Sequence, residues 1–339
     1  MTVKLDDVEV LSDVSATGKE RPWKDKKERT MKMAEAFQLA GLEGKAARMA
    51  SCGNVLVFNV MELGYHLAHA QFCQVRLCPM CTWRRSLKIA NQNRQIVELA
   101  NERQKLRWIF LTLTVRNVEG KELKQTIDHM MKSWDRFRGY KAVQNAVVGW
   151  FRGLEITRNA NTRSKSFGTY HPHFHVLICV KPYFFKGKGY IKQSEWADMW
   201  QKALQVDYTP ITHVEVVKAR QTKKNLIEIA TEVQNAISEQ KAIFEVSKYP
   251  VKDDDIIKDF NSKDTPEVVR TLDTALNRKR LIAYGGILKD IKKELGLSDV
   301  EGDSVNLVHI DESKDDVAEE VEKVTAYWHY GLKEYVISR

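Results

Sequence analysis

Polar and apolar residues alternate most sharply between Tyr170 and Val180, in the run YHPHFHVLICV, where three histidines take every second position before the chain turns wholly apolar. Successive side chains of a strand point to opposite faces. His171, His173 and His175 therefore share one face, and Pro172 and Phe174 share the other. Runs rich in β-branched and aromatic residues predict two more strands, LRWIFLTLTVRNV and VVGWFRGLEITRN. Between those two, LKQTIDHMMKSWDRFRGY has helical spacing, and the polar hairpin NANTRSKSFGTY leads into the histidine strand. The last two strands thus follow one another without a helical crossover, which predicts an α+β fold with an antiparallel sheet.

Outside this centre the pattern is mixed. The first 30 or so residues are polar and charged, and KERPWKDKKER reads as a basic, mobile arm before a short amphipathic helix, TMKMAEAFQLAGLEGKAARMA. Cysteines cluster between Ser51 and Arg85, and a helix is expected from about Trp83 to Lys105. Further on, SEWADMWQKAL predicts a helix and ITHVEVVKA a strand, while LIEIATEVQNAISEQKAIFEVSKY keeps helical spacing up to Pro250. RTLDTALNRKRLIAYGGILKDIKKELGL reads as a helix, a Gly-Gly turn and a closing helix, followed by an acidic stretch and the aromatic tail AYWHYGLKEYVI. The expected divisions are a basic arm and helix (1–48), a cysteine-rich segment (49–95), a central catalytic domain (96–297) and an acidic C-terminal segment (298–339).

Charge sharpens the picture. The 339 residues carry 54 Lys and Arg against 45 Asp and Glu, a net of +9. From Asp299 to Glu322 there are ten acids and one lysine, so the rest of the chain carries +18. A basic body favours a polyanionic partner, nucleic acid first. No window approaches the roughly 18 apolar residues of a membrane span, and the polar N-terminus has no signal-peptide core. A cytoplasmic location is expected, where thiols stay reduced and five cysteines are not read as disulfides.

Cys52, Cys73, Cys78 and Cys81 fall within 30 residues. A Cys-Pro-Met-Cys turn is a tight chelate for tetrahedral zinc, and Cys73 and Cys52 would complete a structural four-thiolate site, with His66 and His69 in reserve. Cys179, inside an apolar strand, is read as core. Arg84 and Arg85, beside Arg76, Lys88 and Trp83, suit phosphate contact and base stacking as well as they suit a solvated helix face.

His173 and His175 flank one bulky residue and converge from one strand face. Two imidazoles leave most of an ion's coordination open, which suits a catalytic metal. Glu155, on the strand joined to the histidine strand by the polar hairpin, is the expected third ligand, with His171 as the alternative. Imidazole plus carboxylate fits Mn²⁺ or Mg²⁺. An open metal beside nucleic acid calls for a nucleophile. EVSKYPVK offers Glu245 and Tyr249 four apart, with Lys248 and Lys252 flanking them to steady a phosphate. Tyr249 would attack a metal-polarised phosphate, and Glu245 would activate water for a second cleavage.

These segments together resemble the rolling-circle plasmid replication initiators of the HUH endonuclease superfamily, in the branch of small Gram-positive plasmids. FLTLTV (Phe110 to Val115), YHPHFHVL (Tyr170 to Leu177) and EVSKYPVK (Glu245 to Lys252) match its three motifs, and the cysteine-rich segment and RLIAYGGILKDI resemble further stretches. The similarity spans about Arg48 to Leu297. It implies a five-stranded antiparallel sheet flanked by helices, with the histidine strand central. It also implies nicking of one strand at a double-strand origin, with Tyr249 holding the 5′ phosphate and a 3′ hydroxyl freed as primer. Glu245 would then support hydrolytic termination. Host helicase, single-strand-binding protein and DNA polymerase are the implied partners, alongside single- and double-stranded origin DNA, and a homodimer is compatible with it. The same site would serve a conjugative relaxase or a transposase, though relaxases usually place the tyrosine before the histidines. A zinc-bearing DNA-binding regulator and a small-phosphoester hydrolase are the readings from other classes.

Overall fold

The computed structural model describes residues 9–15, 18–62, 64–186, 189–218, 236–248, 251, 253–257, 263–302, 305–310 and 322–338. In chain order the helices are α1 (Trp23–Leu39), α2 (Glu43–Ala50), α3 (Pro79–Arg103), α4 (Gly120–Gly139), α5 (Lys141–Ala146), α6 (Gln193–Leu204), α7 (Glu239–Val246), α8 (Asp254–Ile257), α9 (Thr265–Leu276) and α10 (Ile287–Glu294). The strands are β1 (Val55–Met61), β2 (Gly64–Ala70), β3 (Arg107–Thr114), β4 (Val147–Arg158), β5 (Tyr170–Val180), β6 (Thr212–Lys218), β7 (Ala236–Ser238), β8 (Ile282–Gly286), β9 (Lys323–His329) and β10 (Glu334–Ser338). Among the described residues, no helix is long and apolar enough to cross a membrane.

Two units emerge. The first comprises 1–88, 256–270 and 302–339; the second comprises 89–255 and 271–301. The second holds a sheet in the order β7-β6-β3-β5-β4-β8. Its five longer strands pair antiparallel throughout, and the histidine strand β5 lies between β3 and β4 at their centre. The expected α+β antiparallel sheet is present, with one addition: the three-residue β7 joins β6 in parallel. A central strand is covered on both sides, which explains why β5 turns continuously apolar after its histidines.

One face of that sheet is closed by α4 and α6. The stripe Leu123, Ile127, Met130, Trp134 and Phe137 recurs every three or four residues, the spacing of one helix face. Phe137 meets Trp200 edge-on with ring centroids 5.7 Å apart, and Phe174 meets Trp134 and Trp200 at 6.2 and 6.1 Å. Phe174 therefore points to the helical core, leaving His173 and His175 on the opposite face. There α7 packs on β4, β5 and β6. Its approach depends on Gly153, opposite His175 in the ladder, where a Cβ would come within 2.8 Å of the Val246 carbonyl oxygen.

The first unit contains a sheet the sequence pattern did not reveal, in the antiparallel order β10-β9-β1-β2. The aromatic tail supplies two of its strands, with Val324, Ala326 and Trp328 buried at alternate positions of β9. Two other expectations shift. The helix expected from Thr30 begins at Trp23, because Trp23 and Lys27 are buried rather than part of a mobile arm. The presumed Gly-Gly turn is β8, which pairs with β4 and leads straight into α10. Helical spacing before Pro250 likewise gives way at Ala236–Ser238 to β7, with the Ser238 hydroxyl capping α7 by accepting from the Lys241 N–H at 3.3 Å.

Candidate active site and cysteine centre

β-Ladder register builds the histidine site. Glu155 lies opposite His173, Gly153 opposite His175, and Thr112 opposite His175 on the other side. Residues paired directly across a sheet share a face, so one carboxylate and two imidazoles meet at its centre. The Glu155 carboxylate oxygen Oε2 is 3.0 Å from His175 Nε2 and 3.7 Å from His173 Nε2. The three ligand atoms lie within 4.8 Å of one another, close enough for one ion. His171 is outside this group; its ring stacks against His173 at 5.2 Å, and burial pushes its pKa down, as does the neighbouring His173.

The outer nitrogens are tied. His173 Nδ1 is 3.0 Å from the His171 carbonyl oxygen, where it can only donate, and the ring turns Nε2 toward Glu155. His175 Nδ1 is 3.3 Å from the Thr112 hydroxyl. Anchoring the far ring nitrogen orients an imidazole for metal binding. Burial opposes ionisation of Glu155, but hydrogen bonds and charge from both histidines outweigh it and hold the carboxyl well below the usual carboxylate range. A buried carboxylate already charged, with two imidazole Nε2 atoms turned toward it, fits a divalent cation that would take the place of the ring protons.

Glu245, on α7, and Lys248 form an ion pair at 2.5 Å, both partly exposed. Tyr249 and Lys252 lie outside the described residues. Before them in the chain, buried Ser247 accepts from the Asn93 amide at 2.9 Å and donates to the Ile243 carbonyl. Val251 forms a parallel bridge with Ile156, the neighbour of Glu155. Tyr284, on β8, donates its hydroxyl to Asn93 Oδ1 at 3.0 Å. Asn93, Thr112 and Gly153 are the supporting residues that sequence reasoning passed over. Only Gly153, a glycine inside a strand pattern, carried a readable signal.

In the first unit the four cysteines converge. Sulfur separations are 3.7 Å for Cys52–Cys81, 3.6 Å for Cys73–Cys81 and 3.7 Å for Cys52–Cys78. Four sulfurs each about 2.3 Å from a tetrahedral zinc would stand about 3.8 Å apart. These spacings fit that geometry and are far too long for disulfides; all five cysteines are free thiols. Burial pushes the Cys81 thiol far up, as do its neighbours, whereas at Cys78 hydrogen bonds from the other three overcome burial and push it down. Neither His66 nor His69 belongs to the group. Cys179 is buried in β5, and burial pushes its thiol up to about 12.

Arg84 and Arg85 require correction as nucleic-acid contacts. They are only 3% and 2% exposed. Arg84 donates to the Leu307 and Val308 carbonyls at 2.8 and 2.7 Å and lies over the Trp23 ring; Arg85 donates to the Gln74 carbonyl and side-chain oxygen. Lys88 reaches the Asn306 and His309 carbonyls. Arg84, Arg85 and Lys88 each donate to at least one backbone oxygen, as buried carbonyls must find donors.

The chain matches the family described as Replication protein over residues 64–336. It is 48% identical to a Protein rep from Bacillus amyloliquefaciens, covering 98% of both chains. It is 38% identical to a Protein rep from Streptococcus pneumoniae serotype 2, over 97% of this chain and 95% of that one. A Replication protein from Staphylococcus aureus is 36% identical over 74% of this chain and 99% of its own. No solved structure matches.

Proposed function

The chain belongs to the Replication protein family, and from that premise we propose that it initiates plasmid replication by the rolling-circle route, as a site-specific, metal-dependent single-strand endonuclease. It binds the double-strand origin and cuts one strand. Tyr249 is the nucleophile: its phenolic oxygen attacks the scissile phosphorus and the bond to the 3′ oxygen breaks. The 5′ phosphate remains esterified to the tyrosine, and the freed 3′ hydroxyl, having taken up a proton, primes synthesis. A free phenol, with a pKa of about 10, is a poor nucleophile at neutral pH. Mn²⁺ or Mg²⁺ held by Glu155, His173 and His175 would supply the missing activation by drawing charge from a non-bridging phosphate oxygen.

This chain's own residues do the rest. Thr112 and the His171 carbonyl hold the two imidazoles in line. Glu245 takes a proton from water in a later hydrolytic cleavage that ends the round, so no second tyrosine is required. Lys248 and Lys252 meet the phosphate. Cys52, Cys73, Cys78 and Cys81 hold a structural zinc. Helicase, single-strand-binding protein and DNA polymerase of the host act on the exposed strand and the 3′ primer.

The observation that carries this reading is the convergence of two imidazole Nε2 atoms and a buried carboxylate at the centre of an antiparallel sheet. The bridge from Val251 to Ile156 supports it, since Val251 follows Tyr249 by two residues and Ile156 follows Glu155 by one. The test is incubation of supercoiled origin plasmid with the protein and Mn²⁺. Relaxed circles bearing a covalent protein adduct at Tyr249 are expected, and Tyr249→Phe should bind DNA without nicking it. Nicking that survives Tyr249→Phe, or an adduct at Tyr284, refutes the assignment.

A further inference from the structure

A fully buried lysine sits beside the cysteine centre. Lys27, on α1, donates from Nζ to the Ala50 carbonyl at 2.9 Å, the Cys52 carbonyl at 2.9 Å and the Asn54 side-chain oxygen at 2.6 Å. The three acceptors run from the last residue of α2 to Asn54, the short segment that presents Cys52. One turn further along α1, buried Thr30 accepts from the Met80 N–H at 3.1 Å and stands 3.7 Å from Cys78 Sγ. Helix α1 thus grips both halves of the site, the Cys52 loop through Lys27 and the Cys-Pro-Met-Cys turn through Thr30.

The charges explain why a lysine is buried there. Burying an ammonium is costly unless an opposite charge compensates it. Among the described residues Lys27 has no carboxylate partner; its hydrogen bonds go to neutral oxygens, one of them the carbonyl of Cys52 itself. Zinc with four thiolates carries a net −2. We propose that Lys27 is the counter-ion of the zinc–thiolate centre, a positioning residue that sets how tightly the metal is held while its hydrogen bonds fix the Cys52 loop. The inference rests on the zinc reading above and assigns to α1 a role that its basic composition disguises.

The test compares zinc retention in the full-length protein against a competing chromophoric chelator, together with the charge-transfer absorption of the Co²⁺-substituted form. Lys27→Gln keeps N–H donors but removes the charge. It should release zinc about 10–100-fold more readily, the usual cost of losing an outer-sphere partner, whereas Lys32→Met, an exposed position on the same helix, should behave as wild type. Cys73→His removes one thiolate charge and leaves a Cys₃His set, so the loss caused by Lys27→Gln should shrink in that background, a non-additivity that a purely structural role would not produce. Should Lys27→Gln fail to fold alone, its recovery by Cys73→His is the supporting result. Zinc retention equal to wild type in Lys27→Gln, or an equal loss in both backgrounds, overturns the proposal. Wild-type protein that holds no zinc would instead overturn the zinc reading itself.

Discussion

Gly153→Ala is the most discriminating small change in the second unit, because it adds one methyl between the proposed metal site and α7. The new Cβ would stand 2.8 Å from the Val246 carbonyl oxygen, whereas ordinary contact begins at 3.4 Å. The end of α7 or the middle of β4 must therefore give by about 0.6 Å, and overpacking of this kind costs about 1–3 kcal/mol. For a unit of roughly 200 residues that is a fall in melting temperature of about 2–4 °C per kcal/mol. Glu245 sits on that last turn, and Tyr249 follows it in sequence. Misplacement of about 1 Å can cost 10²-fold in rate, so nicking should fall about tenfold. Glu155 and His173 pair two residues further along the ladder, and His175 stays tied to Thr112 on its other side, so metal affinity should be unchanged. The assay pairs plasmid relaxation rates with Mn²⁺ titration and a thermal melt. Wild-type nicking in a destabilised Gly153→Ala would show that the approach of α7 has no catalytic importance. Loss of metal in parallel with nicking would place the damage at the histidines instead.

Other changes test neighbouring parts of the argument. Glu155→Ala should abolish Mn²⁺ binding and nicking together, while Thr112→Val, which removes only the support of His175, should weaken metal binding by about 10-fold; calorimetric titration separates them, and normal binding in Glu155→Ala would return His171 to consideration. Glu245→Gln should nick at a near-normal rate yet accumulate multimeric displaced strands, and an equal loss of nicking and termination on gel analysis would leave it no separate role. Arg84→Ala should destabilise the cysteine unit by about 1–3 kcal/mol through two deprived carbonyls and leave the salt dependence of DNA binding untouched; a shallower salt slope would return Arg84 to the DNA interface. Asn93→Leu should strand buried Ser247 and lower stability by about 1–3 kcal/mol, with denaturant unfolding as the measure.

What the sequence determined by itself was chemistry carried on short, strongly patterned segments. The period of two in YHPHFHVL put three histidines on one face wherever that strand lay, and a CxxC turn brings its sulfurs together by local geometry alone. Glu155 was within reach because one hairpin joins its strand to the histidines. What only the tertiary structure decided were matters of long-range pairing and burial. Register left His171 outside the cluster that could hold an ion and set Gly153 beside His175. The aromatic tail became β9 and β10 because β1 offered them an edge more than 260 residues away in sequence. The basic residues misled most. Lys27, Arg84 and Arg85 look like solvated or phosphate-binding groups in composition, yet backbone carbonyls claim them once the chain is folded. A cation's partner is fixed by which oxygens are left unpaired around it, and that is settled only when the chain has packed.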